Sequence, residues 1–140
     1  MHSAILRAEK KATKLRIGSE EFLNPVRIGV VDSSAESMET LCELLHAFRS
    51  VKVVGTGSDG FKALEIVATT HPDLLIVDVD MPELDGIEVA SVISYCHSST
   101  KVLLISADSG PAMRERCHRS RAHGFVSKQD LESTLRRFSS

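Results

Sequence analysis

Asp73-Leu74-Leu75-Ile76-Val77-Asp78-Val79-Asp80-Met81-Pro82 is the stretch that decides how this chain is read. An uninterrupted apolar run bounded by polar residues fits a strand buried on both faces, as in a parallel sheet covered by helices. The run ends in a carboxylate, a second carboxylate two positions on, and a proline. In open α/β sheets the ligand crevice lies outside the carboxyl ends of the strands, so Asp78 sits where chemistry is done. The competing reading makes Asp78 and Asp80 ordinary turn formers after a strand.

Outward from this stretch the pattern repeats. Val26-Arg27-Ile28-Gly29-Val30-Val31 is a short strand stopping at Asp32, followed by a helix with Met38, Leu41, Leu44, Leu45 and Phe48 on one face. Ser33 and Ser34 are both available to cap that helix, with Ser33 and Glu36 at capping-box spacing. Val51 to Thr56 supplies the next strand and Ser58-Asp59-Gly60 a turn. Phe61, Leu64, Val67 and Ala68 form the expected buried stripe of a second helix, ending before His71-Pro72. After Gly86, the spacing of Val89, Val92, Ile93 and Cys96 predicts a third helix. Lys101 to Ile105 is another apolar strand, ending at Ser106. A fourth helix should start near Pro111, a residue suited to a first helical turn. Its apolar stripe is only Met113 and Cys117, against basic Arg114, Arg116, Arg119 and Arg121. Gly124-Phe125-Val126-Ser127 then forms a strand ending at Lys128, and Leu131, Leu135 and Phe138 line a last helix, whose Arg136 and Arg137 complement its C-terminal dipole.

Five strand–helix units imply a doubly wound α/β domain with a five-stranded parallel sheet, right-handed crossovers and strand order 2-1-3-4-5. That order sets Asp32 beside Asp78 at the switch point, with Ser106 and Lys128 on the next strands at the same rim. The domain is expected over residues 26–140. Residues 1–25 read as a separate leader or a short helix, with a boundary near Asn24-Pro25, because proline disfavours helix at the preceding residue.

Bulk composition agrees with one globular core. The chain has 140 residues, 42% hydrophobic and 26% charged, and a net charge of −2 that conceals an acidic middle between two basic ends. Residues 26–106 carry twelve acids against five Lys/Arg, whereas residues 107–140 carry seven Lys/Arg against four acids. Cys42, Cys96 and Cys117 are odd in number and widely spaced, which argues against a disulfide framework or a zinc site and for a reducing, cytoplasmic compartment. The pairs Cys96-His97 and Cys117-His118 read as ordinary helix residues, since neighbours on a helix diverge. No run approaches a membrane span or a signal peptide.

Two carboxylates at one rim repel each other unless a proton or a cation lies between them. Mg²⁺ suits a site with one or two carboxylates, water and a phosphate. A lysine and a hydroxyl beside it are what a transferring phosphoryl group needs, and a carboxylate can itself be the nucleophile. Asp78, at the centre, is the candidate.

Residues 26–138 resemble the receiver domain of a two-component response regulator, a flavodoxin-like fold. The resemblance rests on Asp78-x-x-Met81-Pro82-x-x-Asp85-Gly86, on Ser106-Ala107 and on Gly124-Phe125-x-x-Lys128. It implies that Asp78 accepts a phosphoryl group from a sensor histidine kinase or a phosphotransfer protein. By the same resemblance Ser106 bonds a phosphoryl oxygen and Lys128 ion-pairs with it. Asp32, Asp78 and the backbone carbonyl of Asp80 would hold Mg²⁺, and Ser106 with Phe125 would form the switch, the aromatic turning inward as the hydroxyl moves. The short last strand and Lys128-Gln129 resemble the subfamily that joins a helix-turn-helix output domain. DNA contact would then belong to that output domain. The basic fourth helix, fifth strand and fifth helix, residues 111–138, are the expected partner or homodimer face.

Two departures from the family pattern stand out. Asp32-Ser33 replaces a pair of adjacent acids, removing a carboxylate that would ligate Mg²⁺ and weakening metal binding, unless the Asp80 side chain compensates. Ser120-Arg121-Ala122 replaces Ala-Gly-Ala, so the glycine for a left-handed helix cap is missing. Two rival functions are also open. Asp78-Val79-Asp80 fits the Asp-x-Asp of haloacid dehalogenase-type phosphatases, although Met81-Pro82 does not continue that motif. Ser33 favours a receiver acting as a phosphorylation-independent interaction or dimerisation module. The expectation is a signalling phosphoacceptor with no enzymatic activity beyond Mg²⁺-dependent self-phosphorylation and self-dephosphorylation.

Overall fold

The structure is a computed structural model that describes residues 24–139. The expectation of a leader over residues 1–25 lies outside the described residues, apart from Asn24 and Pro25. Five parallel strands, β1 (Val26–Val31), β2 (Val51–Gly57), β3 (Leu74–Asp78), β4 (Lys101–Ser106) and β5 (Gly124–Ser127), form one sheet in the order β2-β1-β3-β4-β5. Helices α1 (Ala35–His46), α2 (Gly60–Thr70), α3 (Gly86–Cys96), α4 (Pro111–His118) and α5 (Lys128–Phe138) make the crossovers and the final turn of chain. The doubly wound α/β fold expected from the strand–helix alternation is therefore present.

Alternation along the strands divides the core into two layers. Leu75, Val77, Val102, Leu104 and Phe125 face α2, α3 and α4, whose Ala63, Ile66, Val67, Val89, Ala90, Ile93, Met113 and Cys117 complete that layer. Leu74, Ile76, Leu103, Ile105 and Val126 face α1 and α5, packing with Leu41, Leu45, Phe48, Leu131 and Leu135. β3 is central and buried along its whole length, which explains its unbroken apolar run.

The helical stripes differ from the expected ones in phase. On α2 the buried residues are Gly60, Ala63, Ile66 and Val67, whereas Phe61 is 59% exposed and Ala68 faces solvent. On α3, Val89, Ala90 and Ile93 are buried, while Val92 and Cys96 point outward. Small residues explain both shifts: Gly60, Ala63 and Ala90 let the helices lie close to a sheet of branched side chains, and the larger residues next to them turn out. Phe138 is also exposed, at the C-terminal end of α5. The α4 stripe is Met113 and Cys117, as expected.

The start of α1 corrects the sequence reading, and the end of α4 shows how the helix closes without the missing glycine. Ser34, not Ser33, caps α1, accepting from the Ser37 amide at 3.2 Å. At α4, Arg119 closes the helix in a right-handed conformation, and no left-handed residue is needed. The Ser120 hydroxyl donates to the Cys117 carbonyl at 2.6 Å and accepts from the Ala122 amide at 3.2 Å, doing by side chain what a glycine cap does by backbone.

The loop between β3 and α3 is tightly folded. The Leu84 amide bonds the Pro82 carbonyl at 2.8 Å across Glu83, whose φ of 67° marks a strained γ-turn. Gly86 then starts α3 with its amide on the Val79 carbonyl at 3.2 Å. A Cβ at Gly86 would collide with the Asp78 carbonyl and Val79 backbone, so only glycine lets α3 begin against the end of β3. Asp85 and Glu88 complete a reciprocal capping box there.

Gly86→Ala is expected to lower stability by roughly 1–3 kcal/mol, because its contacts are backbone and cannot rotate away. Denaturant unfolding measures this, and a loss below the error of the measurement would contradict it.

The start of β5 rests on a titratable acceptor. The Val102 amide donates to His123 Nδ1 at 3.0 Å, while the His123 amide donates to the Val102 carbonyl at 2.9 Å. Partial desolvation of this largely exposed side chain, with Lys101 adding, holds the imidazole below its ordinary value of 6.5. An unfolded chain therefore takes up the proton at higher pH than the folded one, so the contribution to stability is present above about 6.5 and is lost as pH falls through the folded value. Between pH 7.5 and 5, wild-type protein should lose more stability than His123→Asn in paired denaturant melts. Equal losses would show that the imidazole carries no linkage.

Candidate functional site

The carboxyl ends of β1, β3, β4 and β5 bring Asp32, Asp78, Ser106 and Lys128 together, as the strand order requires. β1 and β3 are direct neighbours, with Val31 paired to Val77, so the residues that follow them lie side by side. Lys128, the first residue of α5, reaches back across the rim and donates to Asp32 Oδ1 at 2.9 Å and Asp78 Oδ2 at 3.2 Å. Asp32, Asp78 and Ser106 are buried, and the Lys128 side chain is nearly so.

This geometry shapes the electrostatics. Burial opposes ionisation of Asp32, but the nearby Ser37 hydroxyl, Lys128 and the Ser34 amide hold its carboxyl below the ordinary range. Burial raises Asp78, with Asp32 adding, against the Asp80 amide and Lys128. Burial works against the Lys128 charge too, yet its bonds and attraction to the two carboxylates raise it above its ordinary value. Lys128 is a fixed ammonium, Asp32 a fixed carboxylate, and Asp78 the more basic acid of the pair.

Asp78 is well supplied with donors. Oδ1 accepts from the Asp80 amide at 3.0 Å, and Oδ2 accepts from both Lys128 and the Ser33 hydroxyl, the latter at 3.1 Å. Ser33 Oγ also lies 3.2 Å from the Asp80 carbonyl oxygen, so a single hydroxyl spans two oxygens of the expected metal set. This is why Ser33 does not cap α1.

The donor set fits a hard divalent cation such as Mg²⁺, thinly. Asp32 Oδ2 is buried with no hydrogen-bond partner, an atom a cation would satisfy. Ser37 Oγ, also buried and unpaired, is close enough to lower the Asp32 carboxyl without meeting hydrogen-bond geometry. Among the described residues no cluster of three His, Cys, Asp or Glu side chains gathers for a metal. Asp32, Asp78 and the Asp80 carbonyl remain, with water to fill the other positions of an octahedron.

The Asp80 side chain has another partner. Its Oδ2 accepts from the Ser106 hydroxyl at 3.1 Å, and Ser106 Oγ in turn accepts from the Asp108 amide at 3.0 Å. Neither contact was read from the sequence, where Ser106-Ala107-Asp108 resembles any short turn. Phe125 is only 7% exposed and belongs to the layer with Leu104, Met113 and Cys117.

Basic side chains lie on α4 and just beyond its C-terminal end. Arg116 lies 3.8 Å from Asp85, Arg119 bonds Glu115 at 2.9 Å, and Arg121 stacks over the Tyr95 ring at 5.4 Å. Among the described residues no helix is long and apolar enough to cross a membrane.

Comparison with known proteins places this geometry. Residues 28–138 match the response regulator receiver domain family. The chain is 34% identical over 110 residues to the probable transcriptional regulatory protein NarL of Mycobacterium tuberculosis, covering 79% of this chain and 51% of that one. It is 32% identical over 105 residues to a protein-glutamate methylesterase/protein-glutamine glutaminase of Thermotoga maritima, covering 74% and 30%. The chain thus spans about half, or less, of the length of these relatives. The solved receiver domain of M. tuberculosis NarL shares 33% identity at a TM-score of 0.75, covering 81% of this chain and 92% of that one. The response regulator domain of T. maritima CheB follows at 27% and 0.69, covering 83% and 97%. The chain belongs to the response regulator receiver domain family.

Proposed function

We propose that this chain is a signalling phosphoacceptor that takes a phosphoryl group onto Asp78 from the phosphohistidine of a sensor histidine kinase or a phosphotransfer protein. One observation carries the reading: a half-buried Lys128 ammonium shared between the buried Asp32 and Asp78 at the ends of adjacent strands. An Asp78 oxygen attacks phosphorus, the P–N bond to the donor imidazole breaks, and the nitrogen leaves with the electron pair. The product is an acyl phosphate on Asp78. Lys128 stays charged throughout and can follow the new phosphoryl oxygens, and the Ser106 hydroxyl, bonded to Asp80 at rest, is the further donor in this reading. Asp32, Asp78 and the Asp80 carbonyl would hold Mg²⁺, which when bound supplies neutralisation of the crowded oxygens. In this reading the chain turns over no substrate beyond its own phosphorylation and dephosphorylation.

The partner surface proposed is α4, β5 and α5, residues 111–138, for a second copy or a downstream partner. The likeness to NarL, a probable transcriptional regulatory protein, supports an output in transcription, which in this reading a helix-turn-helix domain carries in the cytoplasm. A second reading, a phosphorylation-independent interaction module, is favoured by one feature: the Ser33 hydroxyl on Asp78 Oδ2 and the Asp80 carbonyl, where a cation would sit.

Incubated with Mg²⁺ and acetyl phosphate, the full chain should gain one phosphoryl group by intact mass, and Asp78→Asn should gain none. An unmodified wild-type chain would favour the interaction module, and an adduct on Asp78→Asn would place the acceptor elsewhere.

Ser33→Asp restores a carboxylate and removes the competing hydroxyl. It should tighten Mg²⁺ binding by about tenfold or more, since ligand charge sets affinity in such sites. Calorimetric titration reads this directly; unchanged affinity would mean that position 33 does not face the cation.

A further inference from the structure

The Ser106 hydroxyl already has an acceptor in the resting chain. It has one proton to donate and gives it to Asp80 Oδ2 at 3.1 Å, while its oxygen takes the Asp108 amide at 3.0 Å. The first bond draws Ser106 toward the loop after β3, and the second ties it to its own loop after β4. Ser106 itself is wholly buried, whereas Asp80 is exposed and free of any ion pair among the described residues.

The sheet register ties this hydroxyl to Phe125. Leu104 pairs with Phe125 and Ser106 with Ser127, so Ser106 lies one strand over and two residues along from Phe125. Alternation puts Leu104, Ser106 and Phe125 on the same face of the sheet. A hydroxyl drawn toward Asp80 is drawn away from β5 and leaves the space beside it to the ring. Phe125 is indeed buried at 7% exposure, packed in the layer with Met113 and Cys117 of α4.

We propose that the Asp80 carboxylate stands in for a phosphoryl oxygen as the acceptor of the Ser106 hydroxyl, holding Phe125 buried against α4 before any phosphoryl group arrives. Asp80 is in this sense a positioning residue: it acts through Ser106 and sets the resting population of the conformation that the α4–β5–α5 face presents. Its significance for signalling rests on the phosphoacceptor reading above, but the contact itself needs neither metal nor phosphoryl group. A phosphoryl oxygen reaching Asp78 would meet a hydroxyl already turned toward the site, so the further change on phosphorylation is small at Phe125 and is carried by charge.

The test uses the full chain labelled with 4-fluorophenylalanine, in chelator and without phosphodonor, with the Phe125 resonance assigned by Phe125→Leu. Solvent-isotope shift of the fluorine signal separates buried from exposed ring. Wild-type protein should show Phe125 mainly buried. Asp80→Ala should move the buried-to-exposed ratio toward exposed by about tenfold, the scale of one hydrogen bond to a charged acceptor. Asp80→Asn, which keeps an acceptor oxygen, should restore most of the buried signal. Asp80 is exposed, so both variants should melt close to wild type.

A ratio in Asp80→Ala within twofold of wild type overturns the proposal, as does a wild-type ring that is already exposed. Failure of the phosphoacceptor reading looks different: no mass gain with acetyl phosphate, while the Phe125 ratio still follows position 80.

Discussion

A single ammonium held between two buried carboxylates is the constraint on which this molecule's upper rim depends. Lys128 joins the end of β5 to the ends of β1 and β3, elements far apart in the chain, and it does so where water is scarce. Two carboxylates brought this close by adjacent parallel strands would otherwise repel each other in a medium that screens them poorly. The net balance of Asp32, Asp78 and Lys128 is one negative charge, which leaves room for a cation without demanding one. Everything else at the rim, from the Asp80 amide on Asp78 to the Ser34 amide on Asp32, adjusts that balance.

Sequence periodicity made the scaffold legible because the physics behind it is local. A parallel strand covered on both faces must be apolar between its ends, and residues 74–77 of β3 and 102–105 of β4 are. Once five strand–helix units were recognised, the handedness and order of the sheet followed, and with them the meeting of Asp32, Asp78, Ser106 and Lys128. The helical stripes were less legible. A hydrophobic residue such as Phe61 or Val92 looks like core in a list of spacings, yet close helix–sheet contact selects Gly60, Ala63 and Ala90 and turns bulkier neighbours outward. Volume, not hydrophobicity, decided those faces.

The polar contacts were legible only in part. Ser33 is equally suited by sequence to cap α1 or to bond the acids across the rim, and the choice depends on where β3 delivers Asp78 and the Asp80 carbonyl. Asp80 likewise has a backbone and a side chain that serve different neighbours, the carbonyl toward Ser33 and the carboxylate toward Ser106. Its carboxylate, expected to compensate for a missing metal ligand, accepts the Ser106 hydroxyl through Oδ2. The position of Asp80 on a tight loop lets its two groups face different neighbours.

The thin attachment of α4 has a consequence for its motion against the sheet. Met113 and Cys117 are the buried residues of the helix among the described residues, and its eight residues provide little cooperative structure of their own. Local opening is cheapest where few apolar contacts are lost, so lifting α4 from the sheet gives up little apolar burial. Cys117 reports on that event from within, because burial holds its thiol protonated and shielded while α4 is seated. An alkylating reagent reaches it only when the helix lifts, which makes one native sulfur a built-in clock for the motion of the face that partners would use.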